Sequence, residues 1–119
     1  MKPEEVFKRY DVRGRYPEEL DEEFAEKIGK ALGTFTKREF SKKDIVVGRD
    51  NKDSSKPLKK ALIKGVSSTG IEVVDVGVGP TDYTAFAGKE NNSVSIQLTS
   101  SHMALEFNGF KFMYPDGNG

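Results

Sequence analysis

Hydrophobic and polar positions along this chain follow two periods, and the changes between them mark the elements. Beyond Leu20, the residues Phe24, Ile28, Ala31, Leu32 and Phe35 recur at helical spacing. Asp21 is placed to cap that helix, and Glu22 and Glu23 suit the positive end of its dipole. Ile45-Val46-Val47 is a β-branched run closed by Gly48, and it predicts a buried strand. A second helix is predicted from Ser54 or Ser55, with Pro57 in its first turn. Its apolar stripe is Leu58, Ala61, Leu62 and Val66, and Gly70 ends it. Glu72 to Val78 predicts the next strand, and Thr81 to Gly88 a short helix. Ser93 to Leu98 alternates strictly, with Val94, Ile96 and Leu98 on one face and Ser93, Ser95 and Gln97 on the other. Phe110 to Tyr114 predicts a last strand, and Pro115-Asp116-Gly117 a turn. The polar stretch Thr36 to Lys43 and the segment Thr99 to Gly109 read as loops.

Helices alternating with strands predict a three-layer α/β/α sandwich with a mostly parallel sheet. The last strand follows its predecessor through a loop, so antiparallel pairing there makes the sheet mixed. Ile45–Val47, Val73–Val78 and Val94–Leu98 are expected as adjacent core strands, with Val46, Val74 and Ile96 fully buried. Ligands of open α/β sheets sit beyond the carboxyl ends of the strands. The loops Gly48 to Ser55, Gly77 to Tyr83 and Thr99 to Gly109 occupy that position.

The length of 119 residues fits a single domain spanning 1–119. With 19 basic and 19 acidic groups the formal net charge is zero, which speaks against nucleic acid as a partner. There is no Cys and only one His, so disulfides and the usual zinc ligand sets are excluded. No run of 18 apolar residues exists, and MKPEEVFKRY lacks the apolar core of a signal peptide. The expectation is a cytoplasmic protein without a membrane partner.

Chemistry concentrates in few places. Thr99-Ser100-Ser101-His102 gathers three hydroxyls and the sole His at a strand end. A polar turn explains the same residues equally well. A Ser–His hydrolase dyad is disfavoured, because adjacent residues point apart on an extended chain. Arg13 precedes the first helix in a Gly-containing bend, and its planar fork suits phosphate. Arg49-Asp50-Asn51-Lys52 lies between a strand and a helix start, where basic groups attract an anion. The plainer reading is a turn centred on Asp50 with Lys52 exposed. Gly77-Val78-Gly79 is not a dinucleotide fingerprint, since Pro80 replaces the helix start and the third Gly is missing.

The ordered set of motifs resembles the first domain of the α-D-phosphohexomutases, the phosphomannomutase/phosphoglucomutase family. The residues that carry it are Phe7-Lys8-Arg9-Tyr10-Asp11-Val12-Arg13-Gly14, Lys27-Ile28-Gly29-Lys30-Ala31-Leu32-Gly33 and Val47-Gly48-Arg49-Asp50. Gly70 to Gly77, Pro80-Thr81, Thr99-Ser100-Ser101-His102 and Asn108-Gly109-Phe110-Lys111 complete it. The resemblance implies an isomerase acting through phosphoserine in carbohydrate metabolism. Ser101 would carry the phosphoryl group, with His102 supporting it and Lys111 as proton-transfer partner. Arg13, Arg49, Lys52 and Asn108 would contact substrate or phosphate. Mg²⁺ would touch the phosphate on Ser101, its main ligands coming from a domain outside these residues. The implied substrates are a hexose phosphate and a hexose bisphosphate, with further domains or a self-associated dimer as partners.

Several positions depart from the family pattern. Met103-Ala104 replaces Asn-Pro after Ser-His, which removes a fixed φ from the loop. Phe107 stands for Tyr, and Lys52 for a second Arg, keeping charge without the bidentate fork. Lys52 is expected on a separate loop with freedom to retreat into water. Family members have four domains, so the chain is either one domain of a longer enzyme or a short gene product. The alternative function is a degenerate, non-catalytic module that keeps the fold and an anion site.

Overall fold

A computed structural model describes residues 11–99 and 104–116. In chain order the elements are β1 (Asp11–Arg15), α1 (Glu22–Phe40), β2 (Asp44–Arg49), α2 (Ser55–Ser67), β3 (Glu72–Val78), α3 (Thr81–Glu90), β4 (Ser95–Leu98) and β5 (Phe107–Met113). The five strands form one sheet in the order β1-β5-β4-β2-β3. β2 pairs in parallel with β3 and β4, and β5 pairs antiparallel with β4 and β1. The sheet is therefore mixed, and the three strands expected in the core are neighbours with β2 in the middle.

The Asp21 carboxylate caps α1 by accepting from the Phe24 N–H at 2.8 Å. Ile28 and Leu32 of α1, and Leu58, Leu62 and Val66 of α2, meet Ile45, Val47, Ile96, Leu98, Phe110 and Phe112 in one buried cluster. α3 covers the opposite face. Its Thr84 hydroxyl donates to Gln97 Oε1 at 2.6 Å, and its Gly88 lies against Ser95. The α/β/α layering follows. It also explains why β4, which alternates like a half-exposed strand, is buried on both faces.

The structure corrects four sequence expectations. Val74 is 40% exposed, whereas Val46 and Ile96 are fully buried. β3 is an edge strand, and the outward pleat at Val74 lies beyond the cover of α3, which packs on β2 and β4. Arg13 sits in strand β1 and not in a bend, because β5 supplies a pairing partner. α1 continues through Thr36 to Phe40 and ends at Ser41 with φ 54°, so most of the polar stretch is helical. Thr36 is fully buried there, and Phe40 packs edge-on against Phe35 at 5.7 Å. β5 starts at Phe107, three residues earlier than its apolar pattern, because Asn108 and Gly109 are also paired with β1.

α1 and α2 touch backbone to backbone. A Cβ on Gly29 would lie 2.2 Å from the Leu62 carbonyl oxygen, and one on Gly65 would lie 2.1 Å from that of Glu26. Neither carbonyl can yield without breaking its own helix. Alanine normally favours a helix over glycine by about 1 kcal/mol. At this crossing the sign reverses: Gly29→Ala is expected to destabilise the fold by roughly 1–3 kcal/mol through overpacking. Chemical denaturation checks this, and an unchanged or higher midpoint would refute the close approach.

The edge strand β3 is fastened to α2 by Lys59, whose ammonium lies 2.9 and 2.7 Å from the two carboxylate oxygens of Asp75. Partial burial pushes the Asp75 carboxyl up, but Lys59, the Gly77 N–H and Arg49 outweigh it and hold the group below the usual range. A lowered carboxyl contributes stability above its unfolded value near pH 4, and that contribution vanishes as pH falls through the folded value. Asp75→Asn is thus expected to be less stable at neutral pH, the difference closing in acid below about pH 4. Urea denaturation of both proteins across pH 3–7 tests it, and a gap that persists in acid contradicts it.

Candidate functional site

The carboxyl ends of β2 and β4, the amino end of α2 and the start of β5 meet at one rim of the sheet. The Asp50 N–H donates to the Leu98 carbonyl at 2.9 Å, extending the pairing of β2 with β4. The Asp50 carboxylate then accepts from the Lys52 N–H at 3.1 Å and from the Ser55 hydroxyl at 2.6 Å. The turn centred on Asp50 thus exists, and it delivers the chain into α2.

Asn108 is fully buried beside it. Its Nδ2 donates to the Ser54 hydroxyl at 2.7 Å and to the Ser55 hydroxyl at 2.9 Å. Its Oδ1 accepts from the Gly109 N–H at 2.8 Å. One carboxamide therefore joins β5 to the first turn of α2. A buried polar group is tolerated only with partners, and Asn108 has them at both ends. Gly109 next to it is equally constrained. A Cβ there would stand 2.3 Å from the Val12 carbonyl oxygen and 3.1 Å from that of Thr99. The Thr99 N–H donates to the Gly109 carbonyl at 2.9 Å, which sets the mouth of the loop between β4 and β5.

Arg13 and Lys111 project from the other face. Arg13 pairs with Gly109, and Lys111 pairs with both Asp11 and Gln97. Directly opposed residues share a face, and a diagonal step between adjacent strands is about 7–8 Å, within reach of long side chains. Arg13 is exposed and Lys111 half-buried. The structure therefore brings Arg13 and Lys111 together on the α3 side and sets Asn108 on the α1/α2 side.

The remaining expected contacts are turned onto backbone. Arg49 donates from Nη1 to the Asp50 carbonyl at 2.9 Å. Lys52 does not extend freely into water: its ammonium donates to the carbonyls of Ala104 and Phe107 at 3.2 and 3.0 Å. Ser101 and His102 lie outside the described residues, as does Met103. Ser54 and Ser55 were missed as site-building residues. Their signal was the five-residue spacing from Asp50, which puts a carboxylate over a helix start.

Among the described residues no three His, Asp or Glu side chains converge to hold a metal ion. Asp50, an acid at this rim, is engaged with Lys52 and Ser55. These residues by themselves do not fit a magnesium site. Nor is any helix among the described residues long and apolar enough to cross a membrane.

Residues 4–119 match the family model described as phosphoglucomutase/phosphomannomutase, alpha/beta/alpha domain I. The chain belongs to this family. It is 44% identical over 116 residues to a phosphoglucomutase/phosphomannomutase of Thermococcus kodakarensis, covering 96% of the chain and 25% of that protein. A phosphomannomutase of Escherichia coli K12 is 39% identical over 117 residues, covering 95% of the chain and 24% of the relative. The crystal structure of a phosphoglucomutase/phosphomannomutase family protein from Burkholderia thailandensis superposes with a TM-score of 0.81 at 33% identity, over 90% of this chain and 25% of that one. The chain thus spans about a quarter of the length of the curated relatives it matches.

Within this domain I, removing the Asn108 carboxamide should take one partner each from the Ser54 and Ser55 hydroxyls and from the Gly109 N–H. Asn108→Ala is expected to cost about 1–3 kcal/mol of stability. Thermal and urea unfolding measure it, and a loss near zero would mean that water replaces the carboxamide.

Proposed function

We infer that this chain is the catalytic-serine domain of a phosphohexomutase, moving a phosphoryl group between the 1- and 6-positions of a hexose phosphate. The observation that supports it most is the convergence of Arg13 and Lys111 on one face, beside the mouth of the loop that contains Ser101-His102. Phosphoryl transfer asks mainly for positioning and for positive charge around the transferring group.

In this reading Ser101 is held as phosphoserine, which carries about −1.5 to −2 charges at neutral pH and is stabilised by neighbouring cations. In the first transfer the bond between phosphorus and Ser101 Oγ breaks. A new bond forms from phosphorus to a free hydroxyl oxygen of the hexose monophosphate. The Lys111 ammonium gives a proton to the departing Ser101 Oγ and is restored by the proton that the attacking hydroxyl releases, and the product is a hexose bisphosphate. Transfer of the other phosphoryl group back to Ser101 Oγ completes the isomerisation. Arg13 lies on the phosphate side, His102 supports the serine, and Arg49 adds positive charge at the rim. The protein ligands of magnesium are assigned to residues outside 1–119.

Most of each relative lies outside the matched quarter, so the 119 residues alone are expected to give no mutase turnover. In the natural polypeptide, incubation with glucose 1,6-bisphosphate is expected to phosphorylate Ser101, and Lys111→Ala to slow that step by about 10²–10⁴-fold. Mass spectrometry of the digested protein locates the phosphate. Its appearance on Ser100 or Thr99 would identify a different nucleophile. A chain that stays unmodified would favour a non-catalytic module.

A further inference from the structure

The loop between β4 and β5 is fastened at its two ends by different means. At its entry the Thr99 N–H pairs with the Gly109 carbonyl, which is ordinary strand pairing. Its exit is a tight turn in which the Phe107 N–H donates back to the Ala104 carbonyl at 3.0 Å. Ala104, Leu105 and Glu106 are exposed there, and Leu105 is 80% accessible, so these three side chains do not seat the turn. What seats it is polar. The Tyr16 N–H donates to the Glu106 carbonyl at 2.8 Å, and Arg15 lies over the Phe107 ring at 5.0 Å. Lys52 donates to the first and last carbonyls of the same turn, those of Ala104 and Phe107.

This pair of contacts has a distinct geometry. The Ala104 carbonyl accepts twice, once from within the turn and once from Lys52. Lys52 is itself steadied at its backbone, since its N–H is bound by the Asp50 carboxylate. The β2–α2 connection therefore reaches across 52 positions of sequence to hold the turn.

We propose that Lys52 is a positioning residue, whose ammonium braces the Ala104–Phe107 turn and so fixes the exit of the loop carrying Ser101. It acts through two backbone carbonyls and not by contact with phosphate. The role rests on the function inferred above, and it differs from the phosphate contact that the motif implies for this position. Lysine is adequate for it: a point charge with three donors on a long stem serves two carbonyls, and no bidentate fork is needed.

The test uses Lys52→Met, which keeps the stem and removes the donors, and Lys52→Arg, which restores them, both in the natural polypeptide. Hydrogen exchange at the Phe107 amide is expected to quicken about tenfold or more in Lys52→Met, the effect of losing the charge-assisted bonds to the turn, and to recover in Lys52→Arg. Exchange at Thr99 should not change. Unaltered exchange at Phe107 overturns the proposal, and so does an equal rise at Thr99, because the effect is then global. With glucose 1,6-bisphosphate, Lys52→Met should lower the maximal rate of Ser101 labelling by about tenfold, leaving the half-saturating concentration unchanged. A raised half-saturating concentration at unchanged maximal rate would make Lys52 a phosphate contact and overturn the proposal. Absence of Ser101 labelling in the wild-type protein counts against the inferred function alone, and exchange at Phe107 then decides the brace by itself.

Discussion

The approach of α1 to α2 at Gly29 and Gly65 is the constraint on which the other placements rest. With no side chain between them, each helix presents its backbone to a carbonyl of the other. Close contact at the crossing lets Ile28 and Leu32 on one helix, and Leu58, Leu62 and Val66 on the other, reach the same strands. A wider crossing would lift one stripe off the sheet and forfeit about 1.5–3 kcal/mol for each large apolar side chain returned to water. The seat of α2 also fixes where its first turn points. Ser54 and Ser55 lie against β5 because the helix behind them has no freedom to slide.

From that seat the rim is assembled by polar contacts that are satisfied on both sides. Asp50 and Asn108 approach Ser55 from different strands, the first accepting from its hydroxyl and the second donating to it. A hydroxyl that both gives and receives is a directional joint, and it sets the relative orientation of β2's exit and β5's start. Such a joint is costly to half-break, since each lost partner leaves a buried group unpaired. The rim is thus rigid where the backbone turns, and its cations are carried on that rigid frame.

Local chemistry and the adjacency of the three core strands were legible in the sequence; which strand lies at the edge, and which residues meet at the rim, were not. Asp21 before two glutamates and a helical stripe marks the start of α1 through short-range effects that the structure retains. The three core strands were readable because β-branched runs between helices leave few alternatives. Val74 was misplaced because β-branching reports strand formation and carries no information on which strand lies at the edge. β1 escaped notice for a related reason: Val12 is its one large apolar residue, and its partner is distant in sequence. At the rim, Asn108-Gly109 stood out only as a motif. The reason for each residue, a carboxamide between two serines and a glycine wedged between two carbonyls, depends on three strands and a helix meeting. The direction taken by Lys52 was equally hidden, since a four-carbon stem can follow many paths from one backbone position.

The remote partner of β1 governs how the molecule can assemble. Asp11 is registered with Lys111, 100 positions away, and β1 has no other pairing among the described residues. Closing so long a loop carries an entropic cost that grows with its length, and pairing cannot begin before β5 exists. On a chain emerging amino end first, the strand that bears Arg13 must wait through the synthesis of every other element. β2, β3 and the helices around them rely on nearer contacts and can consolidate earlier. Arg13 therefore joins Lys111 only when the sheet is closed at its last edge, so the cationic face comes into being with completion of the fold.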